Sequence, residues 1–238
     1  MMRFAVTGTD TGVGKTTIAV GLLSVLHQQG FRVAGMKPIE TGVRRGQPKS
    51  DGMRLWDAAG QRDSLWDVSP FVFEEPVAPV VAAGQSGEQI DLSRLDAAFT
   101  RLAKDRQAVV VEGAGGVLCP IKADFLMLDL FARWRLELIV VAPNRLGTIN
   151  HTLLTIRAAE AAGLRVRGIV LNDVPCIEND PSSQSNAQVL ESLIPHVQIV
   201  RYPPIVETEG VLDVTTLSAR VNLAALCMNP STLPAARS

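Results

Sequence analysis

Short runs of wholly apolar residues alternate along this chain with segments whose apolar positions recur every three to four residues. Arg3-Phe4-Ala5-Val6-Thr7 is the first such run, short and apolar enough for a buried strand. Ile18, Leu22, Val25 and Leu26 follow at helical spacing, and Gly30 suits the position just past a helix end. Residues 31–36 read as the next strand, stopped by Pro38, which cannot continue a ladder and restricts Lys37. Ser50 is a cap candidate for a helix starting at Asp51. Residues 60–69 lack periodicity and stay unassigned. Phe71-Val72-Phe73 reads as a short strand. Pro76 and Pro79 then punctuate the chain before a small-residue segment, 80–84. Trp56, Trp66, Phe71 and Phe73 form a loose aromatic group suited to core packing.

Leu92, Leu95, Phe99 and Leu102 mark a helix over 91–104. The fully apolar strand 108–111 then runs into Glu112-Gly113-Ala114-Gly115-Gly116. A helix is expected over 124–133, a strand over 138–141 and a helix over 148–162 closed by Gly163. The strand 166–171 ends at Asn172-Asp173. A helix between 182 and 194 and a strand over 197–200 complete the pattern, ended by Pro203-Pro204. The strand runs are continuous rather than alternating, as strands covered on both faces should be. The expected architecture is a single P-loop NTPase-like α/β domain over 1–238. It is a doubly wound, mostly parallel sheet with helices on both faces, and residues 230–238 form a frayed tail.

Composition narrows the function classes. A chain of 238 residues with 47% hydrophobic and 20% charged residues suits a globular protein with a sizeable core. A net charge of −1 argues against nucleic acid or an acidic membrane surface as the main partner. No apolar run reaches spanning length and the chain enters its first strand at once, so the expected compartment is the cytoplasm. Cys119, Cys176 and Cys227, like His27, His151 and His196, are too scattered for a zinc cluster or a disulfide framework.

The chemistry concentrates first in Gly8-Thr9-Asp10-Thr11-Gly12-Val13-Gly14-Lys15-Thr16-Thr17, between the first strand and the first helix. Gly12 and Gly14 let the backbone turn tightly and bring N–H groups toward phosphate oxygens. The helix N-terminus adds partial positive charge, Lys15 adds a full one, and the Thr16 hydroxyl can ligate Mg²⁺. Thr9 stands where the usual first glycine belongs and Gly8 comes one residue early, so the loop is expected to be one residue longer than usual.

Ligands of open parallel sheets sit beyond the C-terminal strand ends. Lys37, Glu112, Asn150 and Asn172-Asp173 all fall at or near such ends, on the P-loop rim. Glu112 stands where a Walker-B-like carboxylate would meet Mg²⁺, or it is a buried acid paired with a lysine. Asp51 supplies a second carboxylate, or it is only a helix-start acid. Asn172 matches the hydrogen-bonding edge of adenine, or it ends its strand in an Asx turn.

Taken together, Thr7-Gly8-Thr9-Asp10-Thr11, Val13-Gly14-Lys15-Thr16, Lys37-Pro38, Ser50-Asp51, Val111-Glu112-Gly113-Ala114-Gly115-Gly116, Leu146-Gly147-Thr148-Ile149-Asn150-His151 and Asn172-Asp173 resemble the dethiobiotin synthetase family, motif by motif and in order. The longer P-loop is a trait of that family. The resemblance implies ATP- and Mg²⁺-dependent closure of a urea ring in biotin biosynthesis. Its substrates are 7,8-diaminopelargonate, CO₂ and ATP, and it passes through a carbamate and a phosphorylated carbamate. It implies that Gly12 to Thr17, Asp51, Glu112, Gly113, Ala114 and Gly115 bind nucleotide and metal, with Thr16, Asp51 and Glu112 as metal ligands. Asn172, Asp173, Pro203, Pro204 and Ile205 would border the adenine. Lys15 and Lys37 would be catalytic, and Thr11, Lys37, Thr41 and Asn150 would contact substrate. Asn150 would act from the partner subunit of a homodimer. Two departures stand out: Gly12 replaces an acidic residue found in some members, and Glu40 adds a carboxylate beside Lys37. Another P-loop amide-forming synthetase or a P-loop ATPase switch is the alternative reading. The first would need an ammonia-supplying domain. The second would be expected to carry a signature lysine where Thr9 and Asp10 stand.

Overall fold

In chain order the elements are β1 (Met2–Gly8), α1 (Lys15–Gln28), β2 (Val33–Met36), β3 (Ile39–Thr41), α2 (Asp51–Ala58), α3 (Leu65–Val68), β4 (Phe71–Phe73), α4 (Pro79–Ser86), α5 (Leu92–Ala103), β5 (Ala108–Glu112), β6 (Pro120–Lys122), β7 (Phe125–Leu126), α6 (Met127–Arg133), β8 (Glu137–Pro143), α7 (Thr148–Ala161), β9 (Val166–Asn172), α8 (Ser182–Leu193), β10 (Gln198–Tyr202) and α9 (Val214–Arg220), with a 3-10 turn at Leu223–Leu226. The computed structural model describes residues 1–173, 180–204 and 214–227. Ile205, Cys176 and the 230–238 tail lie outside them.

Six strands form one sheet in the order β10-β9-β8-β1-β5-β2, and every pairing in it is parallel. Successive side chains of each strand serve two different cores, which explains the unbroken apolar runs. Phe4, Val6, Val110, Ile139 and Val141 pack on the α1 side with Ile18, Leu22 and Leu26. Ala5, Val109, Val111, Leu138 and Val140 face the opposite layer, built from helices such as α5 and α6. Fully burying one such aliphatic side chain contributes roughly 1.5–3 kcal/mol, so a polar replacement at one of these core positions would be costly unless it found a partner.

The first helix ends as its glycine requires. Gly30 has φ +85°, its N–H bonds to the His27 carbonyl, and the Phe31 N–H bonds to the Leu26 carbonyl. This Schellman closure takes Phe31 out of the expected strand, so β2 starts only at Val33. The helix expected over 124–133 is shorter than its periodicity suggested. Phe125–Leu126 pairs antiparallel with β6, and the Asp129 carboxylate accepts from the Leu126 N–H at 2.7 Å, fixing the helix start there. Trp66 is 60% exposed beneath the Arg45 guanidinium rather than in the core, while Phe71 and Phe73 are buried and stacked.

Among the described residues no helix is long and apolar enough to cross a membrane. The chain passes from β1 to β2 at one edge, returns to β5, then crosses β1 to β8. The direction of winding therefore reverses around β1, and the crevice at its C-terminal end is where such sheets bind ligands.

Candidate active site

The loop leaving β1 is held by both its neighbours in the sheet. The Thr9 N–H bonds to the Val141 carbonyl of β8, and Gly113 at the end of β5 donates to the Val6 carbonyl. Gly14 precedes α1 with φ +97°, and a Cβ there would overlap the Asn172 amide nitrogen. Only glycine satisfies both conditions. That amide donates to the Val13 carbonyl at 2.9 Å, so Asn172 clasps the P-loop backbone from the end of β9. Neither alternative read from sequence described this contact.

Lys15 is buried, with its ammonium on the Asp10 carbonyl at 2.9 Å. Burial, reinforced by the charge of Lys37, lowers its pKa from the ordinary lysine value. Thr16 points to two acids: its hydroxyl lies 2.8 Å from Asp51 Oδ1 and 2.9 Å from Glu112 Oε1. A single proton serves one of them at a time.

Lys37 joins the same group. Its ammonium lies 2.7 Å from Glu112 Oε1 and 2.8 Å from Asp51 Oδ2, and is 3.4 Å from the Gly113 carbonyl. The Lys37 side chain is 5% exposed and that of Glu112 is 1% exposed. Burial alone would depress the lysine, but the charges of Glu112 and Asp51 outweigh it and hold the ammonium above its usual range. Burial pushes the Glu112 carboxyl up against the pull of Lys37. Asp51, more open, resists burial and is held low by Lys37. Glu112 is thus a buried acid paired with a lysine, and its Oε1 also lies at the P-loop hydroxyl.

These groups open into a cavity of about 570 Å³, a size suited to small substrates. Thr11, Gly12, Thr17, Thr41, Ala114 and Gly115 also line it. Val13 and Gly113 do not line it: the Val13 side chain lies in the core and its carbonyl accepts from Asn172, while the Gly113 carbonyl lies near the Lys37 ammonium. Asp173 is held elsewhere, by the Asn144 amide at 2.6 Å and Arg201 at 2.9 Å. Pro203 and Pro204 follow β10 and do not line this cavity, and Asn150 is exposed on α7, also outside it. Arg54, Cys119 and a wall running from Pro76 to Pro79 border the cavity without having been singled out in sequence. Arg54 lies one helical turn past Asp51, a spacing that could have signalled it.

The donor set suits a hard divalent cation. Glu112 Oε2 is buried and has no hydrogen-bond partner among the described residues. A carboxylate oxygen in that condition is costly unless a cation meets it. With Thr16 and Asp51 beside it, the set is all oxygen, as Mg²⁺ prefers.

A family model described as an AAA domain matches residues 2–222. The chain is 45% identical over 193 residues to an ATP-dependent dethiobiotin synthetase of Anaeromyxobacter dehalogenans, covering 81% of this chain and 86% of that one. It is 38% identical over 219 residues to the enzyme of that name from Aquifex aeolicus, covering 89% and 96%. It is 37% identical over 193 residues to the one from Bacillus subtilis, covering 81% and 83%. A solved ATP complex of a Cyanothece McdA variant superposes with a TM-score of 0.51 at 16% identity, over 94% of this chain and 96% of that one, a likeness of fold alone.

Proposed function

Because the chain belongs to the ATP-dependent dethiobiotin synthetases, we propose that its rim cavity closes the urea ring of dethiobiotin from 7,8-diaminopelargonate, CO₂ and ATP in biotin biosynthesis. The observation that carries this reading is the meeting of Lys37 with Thr16, Asp51 and Glu112 at the mouth of the P-loop. The reaction needs negative charge gathered and offset, and it needs no side-chain nucleophile.

One amine of the substrate adds to CO₂, forming a C–N bond and releasing a proton to solvent. The carbamate oxygen attacks the γ-phosphorus of ATP, and the bond to the departing ADP oxygen breaks. The second amine then attacks the carbamoyl carbon, phosphate leaves, and the ring closes with loss of a proton. Lys15 and the N-terminus of α1 bind the outer phosphates. Mg²⁺, held by Thr16, Asp51 and Glu112, would offset charge on the phosphate oxygens when bound. Lys37 stays charged and donates to the carbamate oxygens while Glu112 and Asp51 keep its ammonium oriented. Thr11 and Thr41 present hydroxyls to the substrate from the cavity wall. Asn172, Asp173 and the Pro203-Pro204 segment would border the adenine.

Asn150 completes the site from the second subunit of a homodimer, where it would hold the substrate's carboxylate. Exposed Leu146 and Leu154 on either side of it support a pairing face. Sedimentation should therefore show a dimer, and Asn150→Ala should raise the KM for the diamine with little change in the KM for ATP. A fully active monomer would contradict the shared site. The chemistry itself is tested with ¹³C-bicarbonate and a panel of diamines. The label should appear in the ring carbonyl of dethiobiotin, and label in an acyclic amide would refute ring closure.

A further inference from the structure

We infer that Glu40 is a positioning residue that holds Asp51 at the metal-binding face, an assignment that rests on the metal reading above. Glu40 is 4% exposed in β3. Its Oε1 accepts from the Asp51 N–H at 2.6 Å, and its Oε2 lies 3.3 Å from the Gly52 N–H. These are the first two backbone donors of α2, which the helix itself cannot satisfy. The cap at Ser50 meets a different donor, the Met53 N–H. Glu40 is therefore bonded to the residue whose carboxylate reaches Thr16 and Lys37.

The approach is built into the sequence on both sides. Gly52 leaves the space: a Cβ there would overlap Ser69 Oγ and lie 3.1 Å from Glu40 Oε2. β3 pairs with β4 in a separate two-stranded ladder, which fixes the backbone of Glu40 just past Lys37-Pro38. Burial, together with the like charge of Asp51, pushes the Glu40 carboxyl up, and Lys37 and the two backbone donors offset only part of this. A second buried acid next to Asp51 repels the Asp51 charge, even as the Glu40 carboxylate stabilises the start of α2 by accepting from the Asp51 and Gly52 N–H groups. It is accounted for if the orientation of Asp51 matters, since partners that orient a metal ligand commonly change metal affinity or activity by roughly 10–100-fold.

The test is Mn²⁺ binding by electron paramagnetic resonance, with a non-hydrolysable ATP analogue present, on the full chain and its variants Glu40→Gln, Ser50→Ala and Asp51→Asn. Circular dichroism checks folding, and Glu40→Asp is the second variant if Glu40→Gln does not fold. Glu40→Gln keeps one acceptor but turns an amide toward the other N–H. It should weaken Mn²⁺ roughly tenfold, while Ser50→Ala loses helix stability with unchanged Mn²⁺ affinity. Wild-type affinity in Glu40→Gln would overturn the assignment. Equal weakening in Ser50→Ala would also overturn it, reducing Glu40 to a helix stabiliser. If Asp51→Asn binds Mn²⁺ as the wild type does, the metal reading itself fails, and the role of Glu40 fails with it.

Discussion

Lys15→Ala should fold as the wild type does and lose turnover by roughly 10²–10³-fold, the loss of about 2.7–4 kcal/mol typical of removing one preorganised donor from developing charge. The side chain leans over its own loop, and its one described protein partner is the Asp10 carbonyl. Asp10 is exposed, so water can replace the lost donor and the melting temperature should change little. The loss should persist at saturating ATP if, as proposed, the missing charge acts on the phosphoryl group as it transfers. Steady-state phosphate release and a thermal melt on the same preparation check both halves. Unchanged turnover at saturating ATP and Mg²⁺ would remove Lys15 from the mechanism.

On the proposed mechanism, in which its ammonium serves the carbamate, Lys37→Ala should lose a similar factor in kcat yet bind nucleotide nearly as the wild type does. Unlike Lys15→Ala, it should also be destabilised. Removing one partner of a buried ion pair typically costs about 3–5 kcal/mol, and Lys37 and Glu112 are both buried. A lysine at a strand end can be a surface charge of little consequence to folding, but Lys37 is buried. Lys37→Met with Glu112→Gln should recover part of the melting temperature while activity stays lost, which separates the electrostatic role from the chemical one. Lys37→Arg should rescue poorly, since a planar fork cannot replace a compact point charge between two carboxylates. Calorimetric ATP binding beside single-turnover phosphate release decides the matter. Loss of ATP affinity in proportion to rate would place Lys37 in the nucleotide site instead.

Residues at strand ends were legible because strand periodicity and the loop that follows are both local. The apolar runs ending in Gly8, Glu112 and Asn172 mark the rim without any knowledge of how the strands pair. The P-loop glycines are legible for the same reason. What the pattern does not carry is contact between distant segments. Glu40 reads as a stray acid until α2 is placed against it, and β3 is only three residues long. Asn172 reads either as an adenine edge or as an Asx turn, and the bond of its amide nitrogen to Val13, 159 residues earlier, belongs to neither reading. The Pro76-to-Pro79 segment reads as punctuation but forms a wall of the cavity. The buried contact of Tyr202 with Ser218 lies in the C-terminal third, where the family motifs had already ended. Asn150 is legible as a motif residue and yet is exposed outside the cavity, which its sequence position does not reveal.

The most direct measurement is the rate of phosphate release from ATP and Mg²⁺ with 7,8-diaminopelargonate and bicarbonate each supplied or withheld. Ring closure through a phosphorylated carbamate requires that release be fast only when both are present, with one phosphate per dethiobiotin formed. Release that is equally fast without the diamine or without bicarbonate would contradict it.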